Sequence, residues 1–255
     1  MRVSALASGS SGNCFYVEDD ERGILVDCGI SCKRVLERLN SIGRSPENLK
    51  GIFVTHEHAD HIKGVDVLAR NFQIPIFATK DTAKNSFLCS DDKLVNFIKK
   101  DEIFSFGALK IEAFAKSHKA ADPVSFNIFS KKKVSIMTDV GYCDRGVEEN
   151  VADSDFLCLE SNHDVDMLEN GHYPYFLKKW IKSDIGHLSN NQASLCVLEH
   201  AHRKLKNVIL SHLSESNNTP ELALKTFSKT IKERKDLSPR VFVSTKIMAS
   251  ELIRV

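Results

Sequence analysis

Short apolar runs and amphipathic stretches follow one another along most of the chain. Strand-like runs occur at residues 3–7, 14–17 and 24–26, and the turn-forming segment 19–23 joins the last two. Strands separated by so short a polar segment usually pair as hairpins. The beginning of the chain is therefore predicted to form an antiparallel meander.

Helical and strand-like patterns then alternate. Apolar residues recur at helical spacing between Lys33 and Ile42, and Gly43 follows where a helix commonly ends. Further strands are predicted at 51–54, 74–78, 103–106, 109–114, 124–129, 134–137, 156–159 and 208–210, and further helices near 65–71, from about 82, at 175–181, 192–202 and 220–233. The pattern predicts an α/β fold, and because no repeat or linker divides the sequence, we expect one domain over residues 1–255.

Six predicted strands are followed by a residue that could bind a metal or transfer a proton. These residues are Asp27, His56, His118, Asp139, Glu160 and His212. Functional groups on loops above a rigid sheet are a usual way to build an active site. The pattern therefore predicts a site at one edge of the strands.

Three imidazoles and one carboxylate lie within six residues after the strand at 51–54: His56, His58, Asp60 and His61. A core cannot satisfy so many polar rings together, which disfavours a structural role, and an exposed histidine-rich turn is the alternative. Residues 56 and 58 can approach one ion from an extended loop, while 60 and 61 face another. Such ligands suit zinc, and they also accept manganese or iron.

The later strand ends could complete two metal sites. His118 would join the first ion, His212 the second, and Asp139 would bridge them. A single histidine or aspartate at a strand end more often caps or hydrogen-bonds, but the neighbouring cluster favours metal binding. The sequence therefore predicts two divalent ions per chain.

Composition and charge constrain the substrate only weakly. The chain has 42% hydrophobic and 27% charged residues, and its 35 basic and 34 acidic residues leave a net charge of +1. A polyanion would have to be bound by a local patch or by metal ions. The lysine run at 131–133 lies between two predicted strands, and we interpret it as a solvated turn.

The seven cysteines include no C-x-x-C pair, and several lie in apolar runs. This pattern indicates reduced, mostly buried thiols. Residues 1–9 lack the apolar region of a signal peptide, and no apolar run approaches the roughly 18 residues of a membrane span. We expect a soluble, cytoplasmic protein that does not bind membranes.

Five motifs in order resemble those of the metallo-β-lactamase superfamily. They are residues 26–29, the H-x-H-x-D-H stretch, a later histidine, residues 138–141 and residues 210–212. The resemblance implies a single-domain αββα sandwich with a dinuclear metal site. It assigns metal binding to His56, His58, Asp60, His61, His118, Asp139 and His212, and support of the ligand loop to Asp27. A diiron oxidoreductase is disfavoured because that branch has Glu at position 58.

Two later segments resemble the phosphodiesterase branch of this superfamily. There, Glu160 would orient His187, which would protonate the leaving oxygen, although His187 could instead cap the following helix. We assign catalytic roles to Asp60, Glu160 and His187. Candidate substrate contacts are Asn162, His163 and Asn190, and His163 could alternatively hydrogen-bond within its own loop.

From about residue 3 to 248 the pattern is similar to the bacterial YycJ/WalJ group, regarded as 5′ to 3′ exonucleases on double-stranded DNA with a place in DNA repair. Only 73 positions separate Asp139 from His212, too few for the inserted domain of β-CASP nucleases. The resemblance implies a hydroxide, bridging the two metals, that attacks a phosphodiester. The alternatives are a lactonase, thioesterase or cyclic-phosphate esterase, or an inactive metal-binding module.

Overall fold

The computed structural model describes residues 1–20 and 22–255. The strands are β1 Arg2–Ala7, β2 Cys14–Asp19, β3 Arg22–Val26, β4 Leu49–Phe53, β5 Ile76–Thr79, β6 Val95–Ile98, β7 Ile103–Phe106, β8 Leu109–Ala115, β9 Val124–Phe129, β10 Lys133–Met137, β11 Phe156–Glu160, β12 Asn207–Ser211, β13 Arg240–Val243 and β14 Ile253–Arg254. The α-helices are α1 Cys32–Ser41, α2 Ala59–Ile62, α3 Val65–Phe72, α4 Lys80–Lys84, α5 Arg145–Asp153, α6 Val165–Asn170, α7 Tyr175–Ile181, α8 Asn190–His200 and α9 Pro220–Ile231. Across the described ranges, no helix combines the length and apolar character needed to cross a membrane.

The strands form two sheets. The first has the order β14-β1-β2-β3-β4-β5-β6, and the second has the order β13-β12-β11-β10-β9-β8-β7. Each sheet contains an antiparallel part, followed by parallel strands from β3 to β6 in the first and from β10 to β13 in the second. Helices α1 and α3 cover the outer face of the first sheet, and α5, α8 and α9 cover that of the second. The predicted αββα sandwich is confirmed.

The two sheets bury an aromatic cluster between them. Phe53 of β4 stacks on Phe77 with ring centroids 4.7 Å apart, and it contacts Phe104, Phe106 and Phe126 at 5.6 to 5.7 Å. Phe53 is the last residue of β4, and the last three residues of this strand are buried. Since Phe53 is followed by the histidine cluster, packing here also anchors the candidate site.

Most of the predicted elements occur within a few residues of their predicted bounds. The first three strands form the meander, residues 32–41 form α1, and residues 220–231 form α9, with Thr219 as its N-cap. Residue 21 of the meander turn lies outside the described residues. The strands β6, β13 and β14 and the helices α2, α5 and α6 were not predicted. Among them, β6 is a half-exposed edge strand and α5 buries only two apolar side chains, which weakens their apolar patterns.

The cysteines depart from the prediction at one place. Cys143 and Cys196 are joined by a disulfide across 53 positions, so the expectation of seven reduced thiols is wrong for this pair. Cys14, Cys28, Cys89 and Cys158 are free and buried, and Cys32 is free and half-buried. The pairing joins the loop after β10 to α8, a contact that no local sequence pattern could reveal.

Substitution of Phe53 by alanine tests the aromatic cluster. We expect Phe53→Ala to lower the free energy of unfolding by about 3–5 kcal/mol, because a fully buried ring is lost and a cavity remains. Phe87→Ala, at a side chain that is 68% exposed, should change it by less than about 0.5 kcal/mol. Urea denaturation measures both values, and equal effects of the two variants would contradict the assignment.

Candidate dinuclear metal site

Three turns at the strand ends adopt left-handed backbone conformations. Asp27, Asp139 and His212 follow β3, β10 and β12 with φ of 60°, 55° and 55°. Such values are uncommon for residues other than glycine and persist only where the surroundings hold them. The turns direct these three side chains into a cluster at one edge of the sandwich, as the sequence predicted.

Three histidines form the first potential set of metal ligands. A nitrogen of His56, of His58 and of His118 all lie within 4.8 Å of one another. The Nε2 atom of His56 is 3.0 Å from the Nδ1 atom of His58. Ligands around one tetrahedral zinc ion lie roughly 3.4 Å apart, given zinc–nitrogen bonds of about 2.1 Å. The three rings therefore have the spacing of a metal site.

A second set consists of Asp60, His61 and His212, whose donor atoms also lie within 4.8 Å. Asp60 Oδ2 is 3.3 Å from His61 Nε2 and 3.6 Å from His212 Nε2. Asp139 contacts both sets, since its Oδ1 is 3.6 Å from Nε2 of His118 and of His212, and its Oδ2 is 3.0 Å from His61 Nε2. The arrangement fits a bridging carboxylate.

Hydrogen bonds at the outer ring nitrogens orient four of the histidines. His61 Nδ1 lies 2.7 Å from Asp27 Oδ2, and His118 Nδ1 lies 3.3 Å from the Gly186 carbonyl. His56 Nδ1 lies 2.9 Å from the Thr55 hydroxyl, and His212 Nδ1 lies 2.7 Å from Glu160 Oε1. Such partners fix the tautomer of a ligand, here leaving Nε2 towards the cluster.

The loop at residues 8–13 supports the cluster. The Ser8 hydroxyl accepts a hydrogen bond from the His212 amide at 2.7 Å and donates to Asn13 Oδ1 at 3.0 Å. Asn13 donates through Nδ2 to Asp60 Oδ2 at 3.3 Å. Both residues are buried. Their only sequence signal was a run of small polar residues between two apolar strands.

Glu160 connects the metal cluster to His187. Its Oε1 lies 2.8 Å from His187 Nδ1 and 2.7 Å from His212 Nδ1, while its Oε2 accepts hydrogen bonds from the amides of Val140 and Leu188. Burial raises the pKa of Glu160, but its proximity to His187 and His212 outweighs this and lowers the pKa to about 2. The side chain is therefore a carboxylate that can orient both rings.

Several of the donor atoms have the unsatisfied valences that a cation requires. Nε2 of His118, Nε2 of His212 and Oδ2 of Asp139 are buried and make no hydrogen bond to any described residue. Burial lowers the pKa of His118 to about 3, so its ring is neutral. Burial alone would raise the pKa of Asp139, but His212, His61 and Lys116 hold it well below its ordinary value. The residues therefore fit divalent metal ions.

Lys116 was not identified from the sequence. Its side chain is fully buried, donates from Nζ to the Thr138 carbonyl at 2.7 Å, and lies 4.0 Å from Asp139 Oδ2. Burial lowers its pKa, with Asp139 and Asp27 opposing that shift. A lysine in a strand-end loop usually faces solvent, so only the tertiary structure places this charge beside the bridging position.

The three expected substrate contacts have different positions. Asn162 lines the cleft above the cluster and donates to the His212 carbonyl at 2.9 Å. His163 is 1% exposed and pairs through its backbone with Ser189, and Asn190 hydrogen-bonds to Ser161 and Asn218 beneath the floor. Neither residue lines the cleft and both side chains are almost fully buried, so the structure gives no support to direct substrate contact by these two residues.

The cleft is small and bordered by a helix. Its volume is about 250 Å³, and Tyr173, Leu177 and Trp180, in and just before α7, form one wall. His58, Asp60, His118, Asp139, His187 and His212 face it together. Two further residues of α7, Tyr175 and Phe176, are 81% and 73% exposed. The site therefore has apolar and aromatic surface at its rim.

Comparisons with known proteins agree with this geometry. The family model described as "Metallo-beta-lactamase superfamily" matches residues 7–132. The chain is 36% identical to Exodeoxyribonuclease YycJ of Bacillus anthracis, covering 92% of this chain and 90% of that one. It is 38% identical to Exodeoxyribonuclease WalJ of Streptococcus pneumoniae serotype 2, covering 88% and 85%.

Solved structures of low sequence identity share the fold. The metallo-β-lactamase fold protein YhfI from Bacillus subtilis superposes with a TM-score of 0.70 at 15% identity, and 98% of each chain is covered. Zinc-bound PqqB from Methylobacterium extorquens gives the same TM-score at 16% identity, with 99% and 100% covered. These likenesses support the two-sheet architecture alone.

A methyl group at Gly29 should disturb the site without removing a ligand. A Cβ atom there would lie 1.6 Å from the Asp60 carbonyl oxygen, so Gly29→Ala must displace the loop that carries Asp60 and His61. We expect the dissociation constants for Zn²⁺ to rise about tenfold or more, as when supporting contacts of a metal site are lost. Isothermal titration calorimetry measures this, with Gly146→Ala in α5 as the control; unchanged affinity in Gly29→Ala would contradict the close packing.

Proposed function

Because the chain belongs to the metallo-β-lactamase superfamily, in the family of the YycJ and WalJ exodeoxyribonucleases, we propose that it is a two-metal 5′ to 3′ exonuclease acting on double-stranded DNA. The observation that carries the proposal is the pair of ligand sets sharing Asp139, next to the Glu160–His187 pair. The metal-dependent nuclease activity follows from the family, and the residue roles below are our own proposal.

Each ion would have three ligands of its own. His56, His58 and His118 would hold one, Asp60, His61 and His212 the other, and Asp139 would bind both. Zinc or manganese suits this set of imidazole and carboxylate donors, and iron is a further option. When bound, two such ions lower the pKa of water that they coordinate and neutralise charge on a phosphodiester.

The protein residues then position and protonate the substrate. Thr55 and Asp27 hold the ligand loop, because Asp27 accepts from the Thr55 amide and contacts His61. The Nδ1 atom of His187 faces Glu160, which leaves Nε2 available to the cleft. A proton on Nε2 would pass to the leaving oxygen, and Glu160 would stabilise the ring in its charged form. Asn162 is the candidate for a substrate contact in the cleft.

A polynucleotide fits the surface better than a small molecule does. A volume of about 250 Å³ is below the roughly 300–1,000 Å³ of pockets that enclose small ligands. Tyr175 and Phe176 are exposed on α7, the helix that forms one wall of the cleft, and aromatic side chains stack on bases irrespective of sequence. Lys179 on the same helix is exposed and can approach a phosphate. A substrate resting on this rim would present only its scissile linkage to the metals.

Five free cysteines support a reducing, cytoplasmic setting. We further propose that residues 1–255 act as one catalytic domain. A lactonase, thioesterase or cyclic-phosphate esterase is the second candidate, since a dinuclear site of this kind could hydrolyse such bonds as well.

The activity is tested by incubating metal-loaded protein with end-labelled duplex DNA, structured RNA and a panel of lactones and thioesters. We expect duplex DNA to be shortened from its 5′ ends and His58→Ala to reduce the rate by about 100-fold or more, since it removes a ligand. His202→Ala, at a histidine outside the cleft, should retain the parent rate. Cleavage of a lactone or thioester with intact polynucleotides would refute the nuclease assignment.

The role of His187 is tested by varying the leaving group. We expect His187→Ala to slow DNA cleavage by about 10²–10⁴-fold, the range typical of general acid catalysis. Hydrolysis of bis(p-nitrophenyl) phosphate should fall much less, because its leaving group needs no proton. Steady-state kinetics on both substrates gives the ratio, and an equal loss on the two would show that His187 acts in another way.

A further inference from the structure

A second cluster of metal-binding side chains lies between α5 and α8. A donor atom of Cys143, of Glu148 and of His200 lie within 4.8 Å of one another, and all three residues are half-buried. Cys196 adjoins them, since its sulfur is bonded to that of Cys143. None of these four residues lines the cleft that contains the dinuclear site.

The secondary structure brings these side chains together. Cys196 and His200 are four residues apart on α8, so they lie on one face of the helix. Glu148 lies on α5, which packs beside α8, and Cys143 lies in the loop just before α5. The His200 Nε2 atom is 3.7 Å from Glu148 Oε1. Ligands of one tetrahedral zinc ion are separated by roughly this distance.

The two cysteines can serve either a disulfide or a metal ion. Their Cα atoms are 6.3 Å apart. Around zinc, two thiolate sulfurs lie about 3.8 Å apart, given zinc–sulfur bonds of about 2.3 Å in a tetrahedron. Once the disulfide is reduced, rotation of the two side chains can bring their sulfur atoms to that distance from each other. Two thiolates, one imidazole and one carboxylate then give four donors.

We propose that in the reduced protein Cys143, Glu148, Cys196 and His200 bind one Zn²⁺ ion, in a structural site separate from the dinuclear centre. The site has four protein ligands, as is typical of structural rather than catalytic zinc. A metal ion and the disulfide exclude each other, because bonded sulfurs carry no thiolate.

The two states interconvert by thiol–disulfide exchange. Oxidised glutathione accepts the two electrons of the Cys143 and Cys196 thiolates, two protons from solvent complete the two glutathione thiols, and Zn²⁺ leaves. Each state links the loop that carries Asp139, four residues before Cys143, to the helix that begins just after His187. The zinc ion would therefore stabilise two parts of the active site in a reducing compartment.

Cobalt spectroscopy tests the site, because Co²⁺ replaces zinc and gives an intense near-ultraviolet charge-transfer band only with thiolate ligands. Reduced, metal-free protein should develop this band on titration and bind three ions per chain. The dinuclear site offers only nitrogen and oxygen donors and cannot produce it. Cys143→Ser should lose the band and bind two ions, whereas Cys32→Ser, at a half-buried free cysteine, should keep it.

His200→Ala keeps both thiols and provides a test that does not depend on a cysteine variant folding. Its dissociation constant for the third cobalt ion should rise about tenfold or more, while circular dichroism shows a parent-like spectrum. Addition of oxidised glutathione to the parent protein should abolish the band. A reduced parent protein without the band, or a band that persists in Cys143→Ser, would overturn the proposal.

Discussion

The carboxylate of Asp139 lies in a buried cluster of imidazoles, in which Nε2 of His118 and Nε2 of His212 have no hydrogen-bond partner among the described residues. Its two oxygens face His61 on one side and His118 and His212 on the other, at 3.0 to 3.6 Å. Removing so many polar groups from water has a large free-energy cost that hydrogen bonds within the cluster only partly offset. Divalent ions would satisfy the donors that lack a partner, so metal binding and stability of these loops should be coupled.

The fold serves this requirement by placing the strand ends at one edge. Parallel pairing of β3 with β4, of β10 with β11 and of β11 with β12 aligns the points at which the strands end. Those points carry Asp27, His56, Asp139, Glu160 and His212. The aromatic cluster between the sheets then fixes the distance between the two halves of the site. Glu160 extends the arrangement, because one of its oxygens contacts both His212 and His187. Glu160 thus holds both His187, which is proposed to protonate the leaving oxygen, and His212, which is a proposed metal ligand.

Much of this arrangement could be predicted from the sequence, because the motifs are local. His56 to His61 lie within six residues, and each later candidate follows an apolar run, so the cluster was accessible. The αββα architecture followed from the resemblance of these motifs to the metallo-β-lactamase superfamily. Residues whose importance arises from contacts with distant parts of the chain could not be predicted in this way. Asn13 reaches Asp60 across 47 positions, and Lys116 is buried beside Asp139 although its own segment has no distinctive pattern. The burial of His163 and Asn190 was likewise not apparent, because it depends on contacts with other loops.

The most direct measurement of the two-ion arrangement is a crystal structure of the zinc-loaded protein with anomalous diffraction data collected at the zinc absorption edge. We expect two anomalous peaks in the cleft on either side of Asp139, one bound by His56, His58 and His118 and the other by Asp60, His61 and His212. A single peak, or two peaks with Asp139 outside bonding distance of either, would contradict the two-ion arrangement.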